Sequence, residues 1–228
     1  MRKKYLLTLL VVTSTLFVTE SYSQHKTYPI TNGVGIMGGL TQFDLQTDNF
    51  NTSPGNGWIL GLSATGDLPH KWYNISYGMQ ISENKFSIEA SPTSLLSNRE
   101  EIEYKVFMAQ LAMLMHIKIV QTYITLDIGP MLQYNGEMQL TDDNQENYLI
   151  TNYQGITADE ITDISPFNFN GAVGMTFGMG HFKLRGQYIY GFTNMLNKLN
   201  DANLNTSGGD GRFKGLQSMF VFSGIISF

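Results

Sequence analysis

Hydrophobic and polar residues alternate along most of the chain. Between 124 and 134, Ile124, Leu126, Ile128, Leu132 and Tyr134 share one parity, while Thr125, Asp127, Gly129 and Gln133 share the other. Phe182, Leu184, Tyr188, Tyr190 and Phe192 stand in the same way against Lys183, Arg185 and Gln187. So do Phe167, Phe169, Val173, Met175 and Phe177 against Asn168, Asn170 and Thr176, and Tyr73, Ile75, Tyr77, Met79 and Ile81 against Asn74, Ser76 and Gln80. A period of two places each set on one face of a strand. Eight such runs are predicted, near 33–43, 57–66, 72–86, 101–117, 122–137, 166–178, 181–193 and 212–228. Runs of ~10 residues suit a tilted strand that crosses a bilayer.

One run changes phase. Ile102, Tyr104 and Val106 share a parity, but Leu111, Met113 and Met115 share the opposite one. A β-bulge near Phe107 to Gln110 would reconcile them. A helix over 106–117 is the alternative, disfavoured because its apolar positions lack sustained three-four spacing. The links also alternate. Short ones fall at 66–70, 118–121 and 178–180, and long polar ones near 44–56, 87–100, 138–165 and 194–211. Short turns on one side and long loops on the other are the habit of outer-membrane barrels. The expected fold is therefore all-β, an eight-stranded antiparallel up-and-down transmembrane β-barrel.

Composition narrows the classes. Charged residues make up 14% of the 228 positions, below the ~25% of ordinary soluble domains. A formal charge of −5 lacks the basic footprint of a nucleic-acid binder. With no cysteine, thiolate metal sites, disulfides and thiol nucleophiles are excluded. The 23 glycines and 12% aromatic content suit strands whose rings collect at membrane interfaces. Trp58, Trp72, Tyr73, Tyr134, Phe167, Phe182, Tyr190, Phe192, Phe213 and Phe228 lie near expected strand ends and are assigned to such belts.

The first residues read as an export signal. Arg2, Lys3 and Lys4 precede an apolar stretch from Tyr5 to Val18, and Ser21-Tyr22-Ser23 forms a small-x-small cleavage site between Ser23 and Gln24. The stretch is shorter than the ~20 residues a helical span needs. Residues 1–23 are thus expected to be a signal peptide and 24–228 the barrel domain. At the other end, Phe220, Phe222, Ile226 and Phe228 share one face of an amphipathic strand that closes on an aromatic. This pattern resembles the signal by which barrel-assembly machinery recognises its clients.

The stretches GVGIMGGLTQF (33–43), YNISYGMQISENKFSIE (73–89), YITLDIGPMLQYNG (123–136) and LRGQYIYGFTNM (184–195) resemble the small outer-membrane barrels of the PorT-like group. More loosely they resemble eight-stranded barrels of the OmpX type. The resemblance spans 24–228 and implies fold and location. Some members of the group are implicated in secretion across the outer membrane, and no catalytic set carries over.

Eight strands leave an interior that side chains fill. The expected inward set is Asn74, Ser76, Gln80, Thr125, Gln133, Asn168, Asn170 and Gln187, with Asp127, Lys183 and Arg185 at similar depth as a salt-bridged network. No cofactor site is expected. Gly33-Val34-Gly35-Ile36-Met37-Gly38 spells a dinucleotide fingerprint without its strand–turn–helix context. His25, His70, His116 and His181 are scattered, so no metal site is expected, and the last three are assigned to interfaces. Asp201 begins a calcium-like loop that lacks the glycine and the closing glutamate, Thr206 and Arg212 standing there. The acids Asp142, Asp143, Glu146, Asp159, Glu160 and Asp163 read as a solvated loop.

The functional expectation is a non-enzymatic barrel. It would contact outer-membrane lipid, meet the assembly machinery on insertion, and act as a structural or interaction component of an envelope or secretion complex. Alternatives are a narrow channel, a loop-based receptor or adhesin, an outer-membrane enzyme with a Ser/His/acid set near one rim, and a soluble barrel with its apolar face inward.

Overall fold

The computed structural model describes residues 31–92 and 99–228. The expected signal peptide and its cleavage site lie outside them. Among the described residues there are ten strands: β1 Thr31–Thr47, β2 Thr52–Asp67, β3 Tyr73–Ser91, β4 Glu100–Val120, β5 Ile124–Asn135, β6 Gln139–Leu140, β7 Leu149–Ile150, β8 Phe167–Met179, β9 Phe182–Gly191 and β10 Gly215–Ser227. Eight of them form a closed antiparallel ring in the order β1-β2-β3-β4-β5-β8-β9-β10, with β10 pairing back to β1. The seam runs from Gly35↔Ser227 to Thr47↔Gly215 without a break. Closure removes every open edge from the ring, as lipid requires of a spanning sheet. The two-residue strands β6 and β7 add to the upper ends of β4 and β3.

The alternation predicts the faces correctly. Asn74, Ser76, Gln80, Thr125, Gln133, Asn168, Asn170 and Gln187 are all buried inside. Val34, Ile36, Leu40, Leu60, Leu62, Tyr77, Met79, Leu111, Met113, Leu132, Leu184 and Phe222 stand exposed on the outer wall. A wall this apolar cannot face water over such an area; it faces hydrocarbon. Rings fringe the band at both ends. Trp72, Tyr123, Phe182 and Phe228 lie by the short turns, and Trp58, Phe107, Tyr134, Phe167, Phe192 and Phe220 by the loops. Phe213 departs from its expected interfacial place: it is buried under the loops, where it stacks on Phe50 at 5.8 Å.

The expected bulge at 107–110 does not form, nor does the helix. Pairing of β3 with β4 runs unshifted from Tyr73↔Ile117 to Ala90↔Glu100. The parity of the inward residues is constant along β4: Ile102, Tyr104, Val106, Met108, Gln110, Leu114 and His116 all point in. What changes is the surroundings. Beyond Phe107 the outward positions become Lys105, Glu103 and Glu101, matched on β3 by Lys85 and Glu89, so the wall turns polar and the filling apolar. Strands of 19 and 21 residues exceed the ~10 needed to cross, and β3 and β4 continue into water as a hairpin. The apparent phase slip marks the membrane surface.

This extension also shortens the links. The expected 44–56 link shrinks to residues 48–51, because β1 reaches Thr47 and β2 begins at Thr52. The segments 136–166 and 192–214 fold over the loop-side mouth as a cap. Phe50, Tyr153 and Phe213 meet there, with ring centroids 5.7–6.0 Å apart. Ile150, Ile156, Ile161, Met195, Leu196 and Leu199 are buried around them. Asn49 ties three segments together: its Nδ2 donates to the Tyr153 hydroxyl and the Arg212 carbonyl, and its Oδ1 accepts from the Lys214 N–H. Below the cap, the Tyr104 hydroxyl donates to the Ala158 carbonyl at 2.9 Å. Burial pushes that hydroxyl far above its ordinary pKa, so it stays a donor.

Candidate functional site, the filled lumen

The interior is organised in three tiers. Uppermost is the apolar tier under the cap, with Phe43, Phe86, Ile88, Ile102, Tyr104 and Val106. Phe86 lies between Phe43 and Tyr104, at 5.5 and 5.8 Å.

The middle tier is an amide ladder across the lumen. Gln80 Nε2 donates to Gln110 Oε1 at 2.5 Å, and Gln110 Nε2 to Gln133 Oε1 at 2.5 Å. Gln133 Nε2 reaches Gln217 Oε1 at 2.5 Å and Asn135 Oδ1 at 2.6 Å. Asn170 Nδ2 donates to Gln133 Oε1 at 2.8 Å, and Asn135 Nδ2 to Asn168 Oδ1 at 2.6 Å. Gln133 is the node. It joins β4 and β8, its neighbours in the ring, to β10 across the bore. Above it, Thr41 of β1 donates to Asn84 Oδ1 of β3 at 2.6 Å. Each amide offers donors and acceptors together, so a ladder of them satisfies itself in a space that water would otherwise enter.

The lowest tier is charged. Asp127 of β5 is fully buried. Its Oδ1 accepts from His116 Nδ1 and Thr125 Oγ1, both at 2.7 Å. Its Oδ2 accepts from Thr176 Oγ1 and lies 3.2 Å from Arg185 Nε. Two of the three residues expected as a charge network therefore meet. Lys183 also points inward, yet it has no ion pair among the described residues. His116, expected at an interface for its place near a strand end, is inside the barrel, on the parity opposite to Leu111, Met113 and Met115. Gln110, Thr176 and Gln217 lie inside as well, beyond the expected inward set; Thr176 shares the parity of Asn168 and Asn170, Gln217 that of Val221 and Ser223, and Gln110 stands opposite in parity to Leu111 and Met113.

His116 Nε2 lies 2.6 Å from Ser76 Oγ. Ser76, His116 and Asp127 thus stand in the order of a nucleophile, a base and an orienting acid. The surroundings differ from those of a hydrolase. Asp127 is shared among four donors, so its charge is not reserved for an imidazolium. The β3 and β4 backbone around Ser76 and His116 is paired in an unbroken ladder, which leaves no pair of free N–H groups for an oxyanion. Ser76 is also absent from the side chains lining the cavity below. The chain of hydrogen bonds compensates a buried carboxylate, as burial demands.

That cavity, of about 270 Å³, opens at the short-turn end. Thr65, Asn74, His116, Thr125, Thr176, Lys183 and Arg185 are among its walls. Among the described residues no group of three or more His, Asp or Glu side chains could hold a metal ion. Phe220, Phe222 and Ile226, read in the sequence as an assembly signal with Phe228, face outward on the strand that seals the seam, and Phe228 is exposed just beyond its end.

Similar architecture is found in solved outer-membrane proteins. One is Ail, the attachment invasion locus protein of Yersinia pestis, solved in complex with the heparin analogue sucrose octasulfate. It is 10% identical over 87% of this chain and 100% of that chain, with a TM-score of 0.48. Neisserial surface protein A is 9% identical over 86% of this chain and 97% of that chain, with a TM-score of 0.47. No family model matches the chain, and no curated protein does. At such values the assignment rests on the molecule's own features: a closed hydrogen-bonded ring, an apolar wall and two aromatic fringes. The chain is a transmembrane β-barrel of the outer-membrane type.

Proposed function

We propose that this barrel resides in the outer membrane as a non-enzymatic structural or interaction component that presents a folded cap outside the bilayer. The observation that carries this reading is the Gln133 node. Its hydrogen bonds run to Gln110, Asn135, Asn170 and Gln217, and they close the bore below a cap already packed on apolar residues. A molecule so filled has little to offer as a conduit. Its outward chemistry lies in the β3–β4 hairpin and in segments 136–166 and 192–214. The PorT-like resemblance, and with it an accessory place in an envelope or secretion complex, rests on the residue stretches that carry it and belongs to the same proposal.

Two measurements test it. Reconstituted in planar bilayers, the intact protein is expected to give no steady single-channel current, and Gln133→Ala is expected to give brief openings. A stable conductance from the intact protein would favour the narrow-channel alternative. Mild-detergent purification from native membranes should bring down an envelope protein with the intact barrel and lose it when 196–212 is replaced by a short Gly-Ser link.

A further inference from the structure

We infer that the cavity at the short-turn end is a binding site for a carboxylate, held by Arg185 and Lys183. The inference does not depend on the interaction role proposed above. Arg185 is nearly buried, with 11% of its side chain exposed, and it lines the cavity. Only its Nε is engaged, by Asp127 Oδ2 and by Thr176 Oγ1 at 3.0 Å. Among the described residues neither Nη is hydrogen-bonded, and Arg185 is part of the cavity wall, so the guanidinium keeps an unused donor edge for a ligand there. A carboxylate matches such an edge with two parallel bonds.

Lys183 lies two residues along β9 on the same face, ~7 Å away by strand geometry, and also lines the cavity. It has no partner among the described residues. The neighbouring strand is cut back beside it. Gly178 pairs with Lys183 across β8 and β9, and a Cβ on Gly178 would come within 2.5 Å of the lysine Cγ.

Charge gives the class of ligand. Asp127 offsets Arg185, and Asp67 at the rim is taken by Lys118 at 3.3 Å. Lys183 is left as an excess positive charge beside a low-dielectric wall, which favours a monoanion. Ser223 Oγ, on the residue paired with Arg185, and Gln187 Nε2 are buried with no hydrogen-bond partner among the described residues, though neither residue lines the cavity. Thr65 and Ser227 also line the cavity, while the Thr125 hydroxyl there is already given to Asp127. The carboxylate could be that of a small organic acid or the C-terminus of a peptide, and the chemistry at Arg185 is the same for both.

The test uses the full barrel in detergent micelles, titrated with acetate, with triglycine and with triglycine amide, while the amide signals of Thr65, Thr125 and Lys183 are followed by NMR. Saturable shifts with acetate and triglycine at similar affinity identify a small-acid site; saturation with triglycine alone identifies a peptide end. Triglycine amide should not saturate in either case. Lys183→Met should weaken binding at least about tenfold, with Lys183→Gln as the second variant if Met impairs folding. Lys198→Met, in a loop on the far side, should leave it unchanged. Absence of saturation with both acids, equal binding of the amide, or unaltered affinity in the Lys183 variants would overturn the inference.

Discussion

At the scale of single residues, the molecule solves one problem repeatedly: polar groups sealed from water must satisfy one another. Asp127 is the extreme case, a carboxylate with no exposure and four donors. Removing one side of a buried ion pair is far worse than removing both, because a lone buried charge remains. Asp127→Leu is therefore expected to destabilise the barrel by about 3–5 kcal/mol, and the double variant Asp127→Leu/Arg185→Met by much less. Urea unfolding in lipid vesicles, followed by tryptophan emission, checks both; additive losses would show that the pair is not coupled. The residues of this tier were partly legible in the sequence. Asp127 and Arg185 could be paired because both strands start from short turns on the same side. His116 was legible in part: it stands opposite in parity to Leu111, Met113 and Met115, but its place near the strand end points equally to an interface.

At the scale of elements, β4 teaches why. A transmembrane strand is read by assuming one apolar face, but that rule holds only where the outside is lipid. Above Phe107 the outside is water, the inside is the cap's core, and the apolar residues change faces while the backbone runs straight. The sequence records this as a slip in phase, indistinguishable from a bulge until the charges Lys105, Glu103 and Glu101 are assigned to the outer face. Substitutions should follow the same boundary. Leu111→Arg, on the lipid-facing band, is expected to cost about 2–4 kcal/mol, whereas Lys105→Gln above it should change stability by less than ~0.5 kcal/mol. Comparable urea midpoints for the two variants would contradict the placement of the membrane surface. The cap is held more locally. Tyr104→Phe removes the bond to the Ala158 carbonyl at a cost of about 1–3 kcal/mol. Hydrogen exchange should then quicken at Ile150 and Ala158, while the amides along the β1–β10 seam keep their protection.

At the scale of the whole molecule, the closed ring was legible and the cap was not. Eight alternating runs with links of unequal length dictate an even, closed, antiparallel barrel, since a sheet with an open edge has no stable place in lipid. The segments 138–165 and 194–211 read as polar loops because their apolar residues, among them Ile150, Tyr153, Ile156, Ile161, Met195 and Leu199, are spaced with no strand or helix period. Those residues pack through tertiary contacts between segments far apart in the chain, and local pattern holds no record of them. The result is a barrel lined with amides at its waist, charged at one mouth and apolar under a lid at the other, so that bilayer, bore and cap each receive the chemistry they tolerate.

The most direct examination of that arrangement is one NOE spectrum of the isotope-labelled barrel in detergent micelles. Backbone contacts should link Gly39 with Ser223 and Gln42 with Phe220, across the seam. Detergent alkyl protons should show contacts to the side chains of Leu111, Met113 and Phe222 and none to those of Gln110, Gln133 and Asn170. A missing seam, or detergent contacts to the glutamine ladder, would mean that the sheet is open or turned inside out.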